Sequence, residues 1–465
     1  MPQAGLIERL APSLSAGAVL IGAEIGPRYY TDVAGRVGAS PQVVFRPRST
    51  AEVSRILAHC HAEAVPVVVQ GGMTGLVCGA LPRSNEIVVS LERMNRIEAI
   101  DVKAATAIVE AGAVLEMVQE QVETLGLSFP LDLGARGSCT IGGNIATNAG
   151  GNRVIRYGMM RELVLGLEVV LADGTVIENL RKYFKNNTGF DLKQYFIGSE
   201  GTLGVITRAV LRLFPLPAER AVACCSLSCF SNVITLLDLM RRRLGGELTA
   251  FEVMWHSYFV RATALPHVKP PLPADRTFYV IVEASGVDAT NIRDRFESLL
   301  AQAHEAALID NAVIAKSTAE AASIWRIRDA TVEVHAAIRP AISLDVSLAI
   351  DRMEEFAASA DEAARAVDPQ SCIVVFGHLG DGNLHVSVHH ADDRPELGEE
   401  LERRIYDLVA AYGGSISAEH GIGISKRPYL RHSRTEAEIA LMRAIKRAVD
   451  PQGILNPGRI FEIDQ

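Results

Sequence analysis

Residues 65–75 of this chain read Val-Pro-Val-Val-Val-Gln-Gly-Gly-Met-Thr-Gly. A run of β-branched residues that ends in clustered glycines predicts a strand followed by a tight loop. Consecutive N–H groups in such a loop can face an anion, so the stretch fits a phosphate cradle, although a plain strand–turn explains it nearly as well. The chain lacks Gly-x-Gly-x-x-Gly opening a helix, Gly-x-x-x-x-Gly-Lys-Ser/Thr and the Gly-x-Ser-x-Gly elbow.

Outward from this loop, short strands alternate with Gly-rich connections between about residues 40 and 215. Further strands are predicted at 86–91 and 105–110, and the apolar spacing predicts a helix at 114–125. Residues 130–158 are rich in Gly, Asn and Thr, with too few large apolar residues for a core. Because its glycines let a backbone wrap closely around a ligand, this stretch is predicted to be functional.

The second half of the chain has a different pattern, which begins after Pro215-Leu216-Pro217. Its predicted strands are 221–229, 277–283, 373–376 and 384–388, and its predicted helices are 231–244, 291–307, 396–411 and 436–448. This rhythm predicts an α+β domain with an antiparallel sheet. Residues 453–459 are predicted to be a loop.

Two histidines flank a predicted turn within the stretch Gly377–His385, which reads Gly-His-Leu-Gly-Asp-Gly-Asn-Leu-His. Asp381-Gly382 is a strong two-residue turn signal, and a hairpin centred on it places His378 opposite His385. Directly opposed residues have Cβ atoms about 4.5–5.5 Å apart, so the two imidazoles could share one metal ion.

The pair Glu419-His420 follows later in the chain. Glu419 would complete a set of two histidines and one carboxylate with an open position, which suits a catalytic divalent ion. His420 cannot easily join the same shell and becomes a candidate base. The alternative is two packed hairpin histidines and a solvated Glu-His pair.

Bulk properties exclude several classes of protein. At 465 residues two or three domains are expected, and 48% hydrophobic with 22% charged residues describes a soluble globular protein. A net charge of −9 argues against nucleic acid and anionic membranes. Neither a transmembrane run nor a signal-peptide pattern is predicted. The seven scattered cysteines give no disulfide framework, so a cytoplasmic location is expected.

Several Gly-rich motifs together resemble one family. They are Gln70-Gly71-Gly72-Met73-Thr74-Gly75, Gly137-Ser138-Cys139-Thr140-Ile141-Gly142-Gly143-Asn144, Thr147-Asn148-Ala149-Gly150-Gly151, Tyr157-Gly158, Asn187-Thr188-Gly189-Phe190-Asp191-Leu192, Gly198-Ser199-Glu200-Gly201-Thr202-Leu203-Gly204 and Asn456-Pro457-Gly458-Arg459. Over about residues 30–462 the chain resembles the FAD-linked D-2-hydroxyacid dehydrogenases of the vanillyl-alcohol-oxidase superfold, which include D-lactate, glycolate and D-2-hydroxyglutarate dehydrogenases.

The resemblance implies an α+β fold. It would comprise a FAD-binding domain of the p-cresol methylhydroxylase (PCMH) type, built of two α+β subdomains, and an α+β substrate domain with an antiparallel sheet. The expected divisions are an N-terminal segment 1–36, a FAD-binding domain 37–216, a substrate and metal domain 217–445, and a segment 446–465 that packs back towards the flavin.

The resemblance also implies which residues bind FAD. The pyrophosphate would lie against the amides of Gly71, Gly72, Met73, Thr74 and Gly75. The flavin and its ribityl chain would be lined by Gly137, Ser138, Thr140, Gly142, Gly143 and Thr147. The adenine end would meet Glu200, Gly204 and Ile206, and Asn456 would reach the flavin. Relatives with covalent FAD use a histidine near the first loop, where this chain has Met73 and Thr74, so FAD is expected to be non-covalent.

The same family relation implies a divalent metal, Zn²⁺ or a similar ion, held by His378, His385 and Glu419. His420 would be the base, and Asn383 would hold the substrate carboxylate beside the metal. Arg328 matches the family's carboxylate-binding arginine, and a guanidinium suits a carboxylate by bidentate pairing. A surface salt bridge is its alternative role.

The substrate class is predicted from two positions at which this chain differs from family members that accept dicarboxylates. Members that accept dicarboxylates tend to have a threonine and a lysine after this arginine, where alignment places Val332 and Ser343. A monocarboxylate such as D-lactate or a larger apolar analogue is therefore favoured. D-2-hydroxyglutarate dehydrogenase, a non-redox zinc hydrolase or binding protein, and an O₂-using oxidase are the alternatives. The electron acceptor (an electron-transfer flavoprotein, a quinone or a cytochrome) and the oligomeric state, a homodimer included, are left open.

Overall fold

The structure, a computed structural model, describes residues 2–287 and 291–462. In chain order the strands are β1 Val19–Ile21, β2 Val43–Phe45, β3 Val67–Gln70, β4 Ile87–Ser90, β5 Ile97–Asp101, β6 Thr106–Glu110, β7 Leu127–Ser128, β8 Val164–Val170, β9 Val176–Asn179, β10 Val205–Arg212, β11 Phe214–Pro215, β12 Glu219–Leu227, β13 Leu248–Trp255, β14 Phe278–Gly286, β15 Asn311–Ile314, β16 Ala341–Ser347, β17 Cys372–His378 and β18 Asn383–His389. The α-helices are α1 Pro2–Leu10, α2 Thr50–Ala62, α3 Leu115–Glu123, α4 Ile141–Ala146, α5 Val154–Tyr157, α6 Met160–Leu163, α7 Lys193–Phe196, α8 Phe230–Leu244, α9 His256–Thr263, α10 Ile292–Glu305, α11 Thr318–Asp329, α12 Thr331–Ala337, α13 Met353–Val367, α14 Pro395–Ala411 and α15 Glu436–Val449. The predicted α+β class is confirmed.

The first of two units consists of Met1–Gly150, Met159–Pro215 and Glu419–Gln465. One sheet has the order β1-β2-β4-β3, with β2, β4 and β3 parallel and β1 antiparallel to β2. β4 reads Ile-Val-Val-Ser and is buried along its length, as expected for a parallel strand covered on both faces. A second sheet is antiparallel, in the order β5-β6-β10-β8-β9. These two sheets agree with the predicted pair of α+β subdomains.

The second unit consists of Gly151–Gly158 and Leu216–Ala418. Its antiparallel sheet has the order β15-β12-β14-β13-β17-β18-β16. The strand β14 is buried along its whole length. A core cluster that contains Tyr258, Tyr279, Ile281 and Phe376 packs on this sheet. The strands β17 and β18, which carry the predicted His378 and His385, lie between β13 and β16.

Two short segments are grouped differently from the predicted divisions, in which 1–36 was a separate N-terminal segment. The N-terminal segment 1–36 belongs to the first unit, because β1 pairs with β2 and extends its sheet. Residues 151–158, expected in the FAD-binding domain, belong to the second unit. The reason is that Arg156 Nη1 donates to Ser285 O and Oγ, at 2.7 and 2.8 Å, on β14.

The return of the chain to the first unit also differs from the prediction. It occurs at Glu419 rather than at residue 446. The Glu200 carboxylate of the first unit accepts the N–H groups of Ile422 and Gly423 at 2.7 and 2.8 Å, which ties this segment to that unit. Met1 and residues 463–465, at the ends of the predicted segments, lie outside the described residues.

The Gly-rich stretch 130–158 contributes to the core, contrary to the prediction. Thr140 caps α4, accepting a hydrogen bond from the N–H of Gly143. Ile141 and Ile145 of this helix are fully buried. The prediction was wrong because one helical turn needs only two large apolar residues to bury a face.

The C-terminal segment is fastened to the first unit by buried polar contacts. Leu455 forms a parallel bridge with Val67 of β3. Arg459 is 1% exposed and pairs with the buried Glu86. Removing one partner of such a pair costs about 3–5 kcal/mol, so these contacts fix the return of the chain. No helix of the described residues is long and apolar enough to cross a membrane.

Candidate functional site

The first Gly-rich loop follows β3 in the first unit. Within the part of the chain that the structure describes, the N–H groups of residues 71–75 donate to no protein acceptor. Met73 has φ 58°, in the left-handed region, and breaks the extended path of the strand. N–H groups that have no intramolecular acceptor on one short loop are available to bind an anion. The predicted contacts of Gly71, Gly72, Met73, Thr74 and Gly75 with a pyrophosphate therefore fit this loop.

The second Gly-rich loop packs directly on the first. A Cβ on Gly71 would overlap Thr140 Oγ1, and a Cβ on Gly72 would overlap the carbonyl of Ser138. A Cβ on Gly75 would meet nothing within 4 Å. Gly71 and Gly72 are thus required for the approach of two backbones, whereas Gly75 borders open space.

The remaining predicted residues of the second loop lie close by. A Cβ on Gly142 would come within 2.6 Å of Ala111 Cβ, and one on Gly137 within 3.0 Å of Glu116 Oε2. Thr147 Oγ1 donates to the carbonyl of Gly143 at 3.2 Å. The structure therefore brings the predicted pyrophosphate and ribityl residues together in the first unit, which fits an extended dinucleotide.

The residues predicted for the adenine end are held by protein contacts. The N–H of Glu200 donates to Ala146 O at 2.8 Å, and burial raises the pKa of its carboxyl. A Cβ on Gly204 would come within 2.6 Å of Val169 Cγ1. Ile206 is buried on β10. Their role at the adenine stays a prediction.

The side chain of Asn456 links β3 to the segment that contains Glu200, both in the first unit. Its Oδ1 accepts the N–H of Val69 at 2.9 Å, and its Nδ2 donates to the carbonyl of Glu200 at 2.6 Å. Its own N–H donates to Val67 O at 2.8 Å. These contacts account for the buried asparagine, and the predicted reach to the flavin stays a prediction.

In the second unit, the predicted turn between the two histidines is wrong. Residues Leu379–Asp381 form a turn of 3₁₀-helix and Gly382 has φ 84°. The register consequently places Phe376, not His378, opposite His385. A shift of two residues keeps every side chain on its face of the sheet, because side chains alternate with a period of two. His378 and His385 therefore still meet, with ring centroids 5.4 Å apart and planes at 79°.

His378 contacts two charged side chains of the second unit. Glu252 is its cross-strand partner on β13, and Glu252 Oε1 lies 2.7 Å from His378 Nδ1. Arg328 Nε donates to Glu252 Oε2 at 2.7 Å, and Arg328 Nη2 lies 3.2 Å from His378 Nε2. Burial by itself raises the pKa of the Glu252 carboxyl, but the Arg328 guanidinium and the hydrogen bonds from His378 and Arg328 lower it overall. Arg328 is 7% exposed, so its alternative as a surface salt bridge is wrong.

His385 lies beside a second buried carboxylate. Asp345 is its cross-strand partner on β16, with Asp345 Oδ1 4.0 Å from His385 Nδ1. Asn383 Nδ2 donates to Asp345 Oδ1 at 2.8 Å and to Val346 O at 3.1 Å. Asn383 Oδ1 is buried without a hydrogen-bond partner among the described residues. Since the amide N–H groups are engaged and an oxygen cannot donate, the predicted contact of Asn383 with a carboxylate does not fit, and Asn383 holds Asp345 instead.

Glu419 and His420 begin the last segment of the first unit. On their N-terminal side, Ala418 ends the second unit, and its N–H donates to Asp345 Oδ2 at 3.1 Å. On their C-terminal side, Gly421 has φ 84° and precedes the N–H groups bound by Glu200. A buried carboxylate thus fixes the backbone on each side of the Glu419-His420 pair.

The donor chemistry of the two histidines fits a divalent metal. Each Nδ1 faces a carboxylate, which leaves Nε2 as the ligand atom and is the usual arrangement around metal-bound imidazole. A metal on His378 Nε2 would have to replace the contact with Arg328 Nη2.

Sequence reasoning missed Glu252 and Asp345. Each is a lone acidic residue within an apolar strand, Leu-Thr-Ala-Phe-Glu-Val-Met-Trp in β13 and Ala-Ile-Ser-Leu-Asp-Val-Ser in β16. Carboxylates are almost never fully buried unless paired, so this pattern is a signal that could have found them.

Two family models match the chain. A model described as "FAD binding domain" matches residues 41–179, and one described as "FAD linked oxidases, C-terminal domain" matches residues 216–460.

Curated relatives are similar over nearly the whole chain. The "Probable D-2-hydroxyglutarate dehydrogenase, mitochondrial" of Oryza sativa subsp. indica is 40% identical over 433 residues, 92% of this chain and 77% of the relative. The "D-2-hydroxyglutarate dehydrogenase" of Xanthomonas citri pv. viticola is 38% identical, over 93% of this chain and 92% of the relative. The protein of that name from Stutzerimonas stutzeri is 34% identical, over 99% and 100%.

Solved structures share the fold. A p-cresol methylhydroxylase with substrate bound superposes with a TM-score of 0.80 and 16% identity, covering 100% of this chain and 98% of the other. An alkyldihydroxyacetonephosphate synthase gives a TM-score of 0.75 and 18% identity, covering 97% and 85%. At these identities the likeness supports the fold alone.

Proposed function

Because this chain belongs to the FAD-linked D-2-hydroxyacid dehydrogenase family and is an FAD-dependent oxidoreductase acting on a CH–OH group, we propose that it oxidises a D-2-hydroxy monocarboxylate with the help of a divalent metal. The observation that carries this proposal is the buried group formed by His378 and His385 on neighbouring strands of the second unit and by Arg328 of α11, which contacts His378. The two imidazoles can ligate a metal ion, and the guanidinium can bind the carboxylate of a substrate. Non-redox zinc chemistry is set aside, because FAD-related family models match both halves of the chain.

The cofactor residues have separate tasks. Residues 71–75 offer N–H groups to the pyrophosphate, and the loop from Gly137 to Gly143 adjoins them. FAD supplies the acceptor for the hydride that leaves the substrate Cα. The chain has no histidine at Met73 or Thr74, which supports non-covalent attachment.

The metal and substrate residues act on the other end of the reaction. His378, His385 and Glu419 are the proposed ligands, and a divalent ion there lowers the pKa of the substrate hydroxyl. Arg328 holds the substrate carboxylate through charge-assisted hydrogen bonds. His420 takes the hydroxyl proton as general base, a role that contributes about 10²–10⁴-fold. Asn383 has no direct substrate contact in this proposal and positions Asp345.

The side chains at positions 343 and 332 favour a monocarboxylate substrate. Ser343 lies on the same face of β16 as Asp345, two residues away, and is exposed. Val332 is 77% exposed on α12. Neither side chain is a cation, so neither gives a distal carboxylate a charged partner. D-lactate or a larger apolar analogue is the proposed substrate.

D-2-hydroxyglutarate is the second candidate, because the curated relatives at 34–40% identity carry that name. An O₂-using oxidase is a further alternative, which peroxide formation at turnover rates would support. The electron acceptor stays a prediction among an electron-transfer flavoprotein, a quinone and a cytochrome. The cytoplasmic location also stays a prediction, with which seven free cysteines agree.

The test is a steady-state assay of the FAD-loaded protein with an artificial electron acceptor and a panel of D- and L-2-hydroxy acids. The proposal expects 2-oxo acid from D-lactate or a larger apolar D-acid, with a higher kcat/KM than D-2-hydroxyglutarate, and a loss of about 100-fold or more in His420→Asn. A preference for D-2-hydroxyglutarate would select the second candidate. Activity of His420→Asn equal to that of wild type would show that His420 is not the general base.

A further inference from the structure

Glu252 contacts both His378, a proposed metal ligand, and Arg328, the proposed carboxylate-binding residue. It lies in the middle of β13 and is only 1% exposed. One oxygen lies 2.7 Å from His378 Nδ1, and the other accepts Arg328 Nε at 2.7 Å. Burial of an unpaired carboxylate is costly, so the two partners account for its place in the strand.

The contacts of His378 define its tautomer. Arg328 Nη2 lies 3.2 Å from His378 Nε2, and an arginine nitrogen can only donate. Nε2 must therefore carry a lone pair, and in the neutral ring the proton lies on Nδ1, where the Glu252 carboxylate accepts it. Nε2 is the atom that would bind a metal, so the Glu252 carboxylate contacts the ring nitrogen on the side away from the metal.

We propose that Glu252 is a positioning residue: it fixes the ring and tautomer of His378 so that Nε2 can ligate a metal, and its second oxygen keeps Arg328 beside that ligand. The inference rests on the proposed function, since it assumes the metal. A carboxylate behind a metal-bound imidazole orients the ring and raises its basicity, and losing it typically lowers metal affinity 10–100-fold. Because one carboxylate serves both residues, metal binding and substrate binding become coupled through it.

A purely structural role of Glu252 predicts a different result. In that case the Glu252–Arg328 pair stabilises the sheet, and its loss lowers stability without a specific effect on metal affinity. Glu283 provides the matched control. It is also buried on this sheet, at 2% exposure, and binds Arg153, Thr249 and Trp325, with no histidine among its hydrogen-bond partners in the described residues.

The experiment titrates Co²⁺ into FAD-loaded, chelator-stripped protein and follows the visible absorption of the bound ion. Glu252→Gln is expected to weaken Co²⁺ binding 10–100-fold, alter the band, and raise KM for the acid more than it lowers kcat. Glu283→Gln is expected to keep the wild-type metal affinity within about twofold. Co²⁺ affinity in Glu252→Gln equal to that of wild type would overturn the proposal.

A second pair of variants covers the case in which Glu252→Gln does not fold because Arg328 is left unpaired. Arg328→Gln is expected to leave Co²⁺ binding no weaker than in wild type, whereas Arg328→Gln with Glu252→Gln is expected to weaken it 10–100-fold. Equal binding by the two would overturn the role of Glu252. Wild-type protein that binds no Co²⁺ or Zn²⁺ would overturn both this inference and the proposed metal, so the two failures are distinguishable.

Discussion

Phe376 stacks on His385 across two neighbouring strands, with ring centroids 4.9 Å apart and planes at 29°. The Cζ of Arg328 lies 4.4 Å from the centroid of the same Phe376 ring. One aromatic side chain therefore contacts both a proposed metal ligand and the proposed carboxylate-binding arginine. Stacking and cation–π contacts of this kind contribute about 0.5–2 kcal/mol each, which is enough to affect how well the two groups are held.

We expect Phe376→Leu to raise KM for the hydroxy acid about 3–10-fold, because Arg328 loses the ring that it lies over. The measurement is steady-state kinetics beside thermal unfolding. Phe296→Leu, at a fully buried phenylalanine of the second unit, controls for the loss of core packing. An equal change of KM in both variants would show that the effect is one of stability.

Replacing either proposed histidine ligand should release the metal. His378→Ala and His385→Ala are each expected to lose one equivalent of bound metal and about 100-fold or more in kcat/KM, while the flavin absorbance is retained. Metal analysis by mass spectrometry and flavin spectra check this. His256→Ala, at an exposed histidine of the same unit, should keep the metal. Full metal content in both ligand variants would contradict the assignment.

Asn456→Ala should destabilise the first unit, because the N–H of Val69 and the carbonyl of Glu200 lose their partner. Each buried group left unpaired costs about 1–3 kcal/mol. A lower urea midpoint with an unchanged flavin spectrum is expected. Asn186→Ala, at an exposed loop residue of the same unit, should lie within about 0.5 kcal/mol of wild type. Wild-type stability together with a shifted flavin band would instead place Asn456 at the flavin.

A charged partner should change substrate choice. The double variant Val332→Thr with Ser343→Lys adds an ammonium on an exposed position of the face that carries Asp345. A hydrogen bond to a charged group contributes about 1.5–3 kcal/mol, so kcat/KM for D-2-hydroxyglutarate should rise about 10-fold or more relative to D-lactate. Val332→Thr with Ser343→Gln, which has no charge, should show little of this gain. An unchanged ratio in the lysine variant would mean that these positions do not meet the substrate.

Cysteine reactivity should follow burial. Cys229 is exposed, whereas burial raises the pKa of Cys60 and of Cys225 to about 12. Iodoacetamide should therefore label Cys229 in the folded protein at pH 7.5 and 9, and leave Cys60 and Cys225 unlabelled until unfolding. Peptide mass spectrometry gives the result. Early labelling of Cys60 would contradict its complete burial on α2.

The raised pKa of Cys60 should also make the free energy of unfolding depend on pH. The folded pKa of Cys60, about 12, exceeds its ordinary value of 9.0. The contribution of the buried neutral thiol is therefore complete below pH 9 and declines as the pH rises from 9 towards 12, because only the unfolded thiol ionises there. The free energy of unfolding should fall over that range.

Local sequence signals predicted much of the fold. The strand before Gly71 and the helix at 436–448 were correct to within one or two residues, because apolar period and clustered glycines act locally. The hairpin at Asp381-Gly382 was placed two residues out of register, since a 3₁₀ turn with Gly382 in the left-handed region replaced the two-residue turn. The face of the two histidines was still right, because a shift of two preserves it.

Contacts between distant residues were beyond local patterns. Glu252 meets His378 only through the pairing of β13 with β17, a pairing of strands far apart in sequence. Asn456 was assigned to the flavin from a motif, whereas its side chain bonds to Val69 and Glu200. Asn383 likewise turned out to support Asp345, because its amide orientation depends on neighbours brought by β16.

Anaerobic bleaching of the flavin band by D- and L-2-hydroxy acids, before and after chelation, tests the metal-dependent oxidation of a D-2-hydroxy acid. We expect rapid bleaching by D-acids, with apolar monocarboxylates faster than D-2-hydroxyglutarate, loss of bleaching when the metal is removed, and its return with Zn²⁺. Bleaching that persists after metal analysis shows the protein to be metal-free would contradict the role of His378, His385 and Glu419. A flavin that no 2-hydroxy acid reduces would contradict the proposed oxidation of a 2-hydroxy acid.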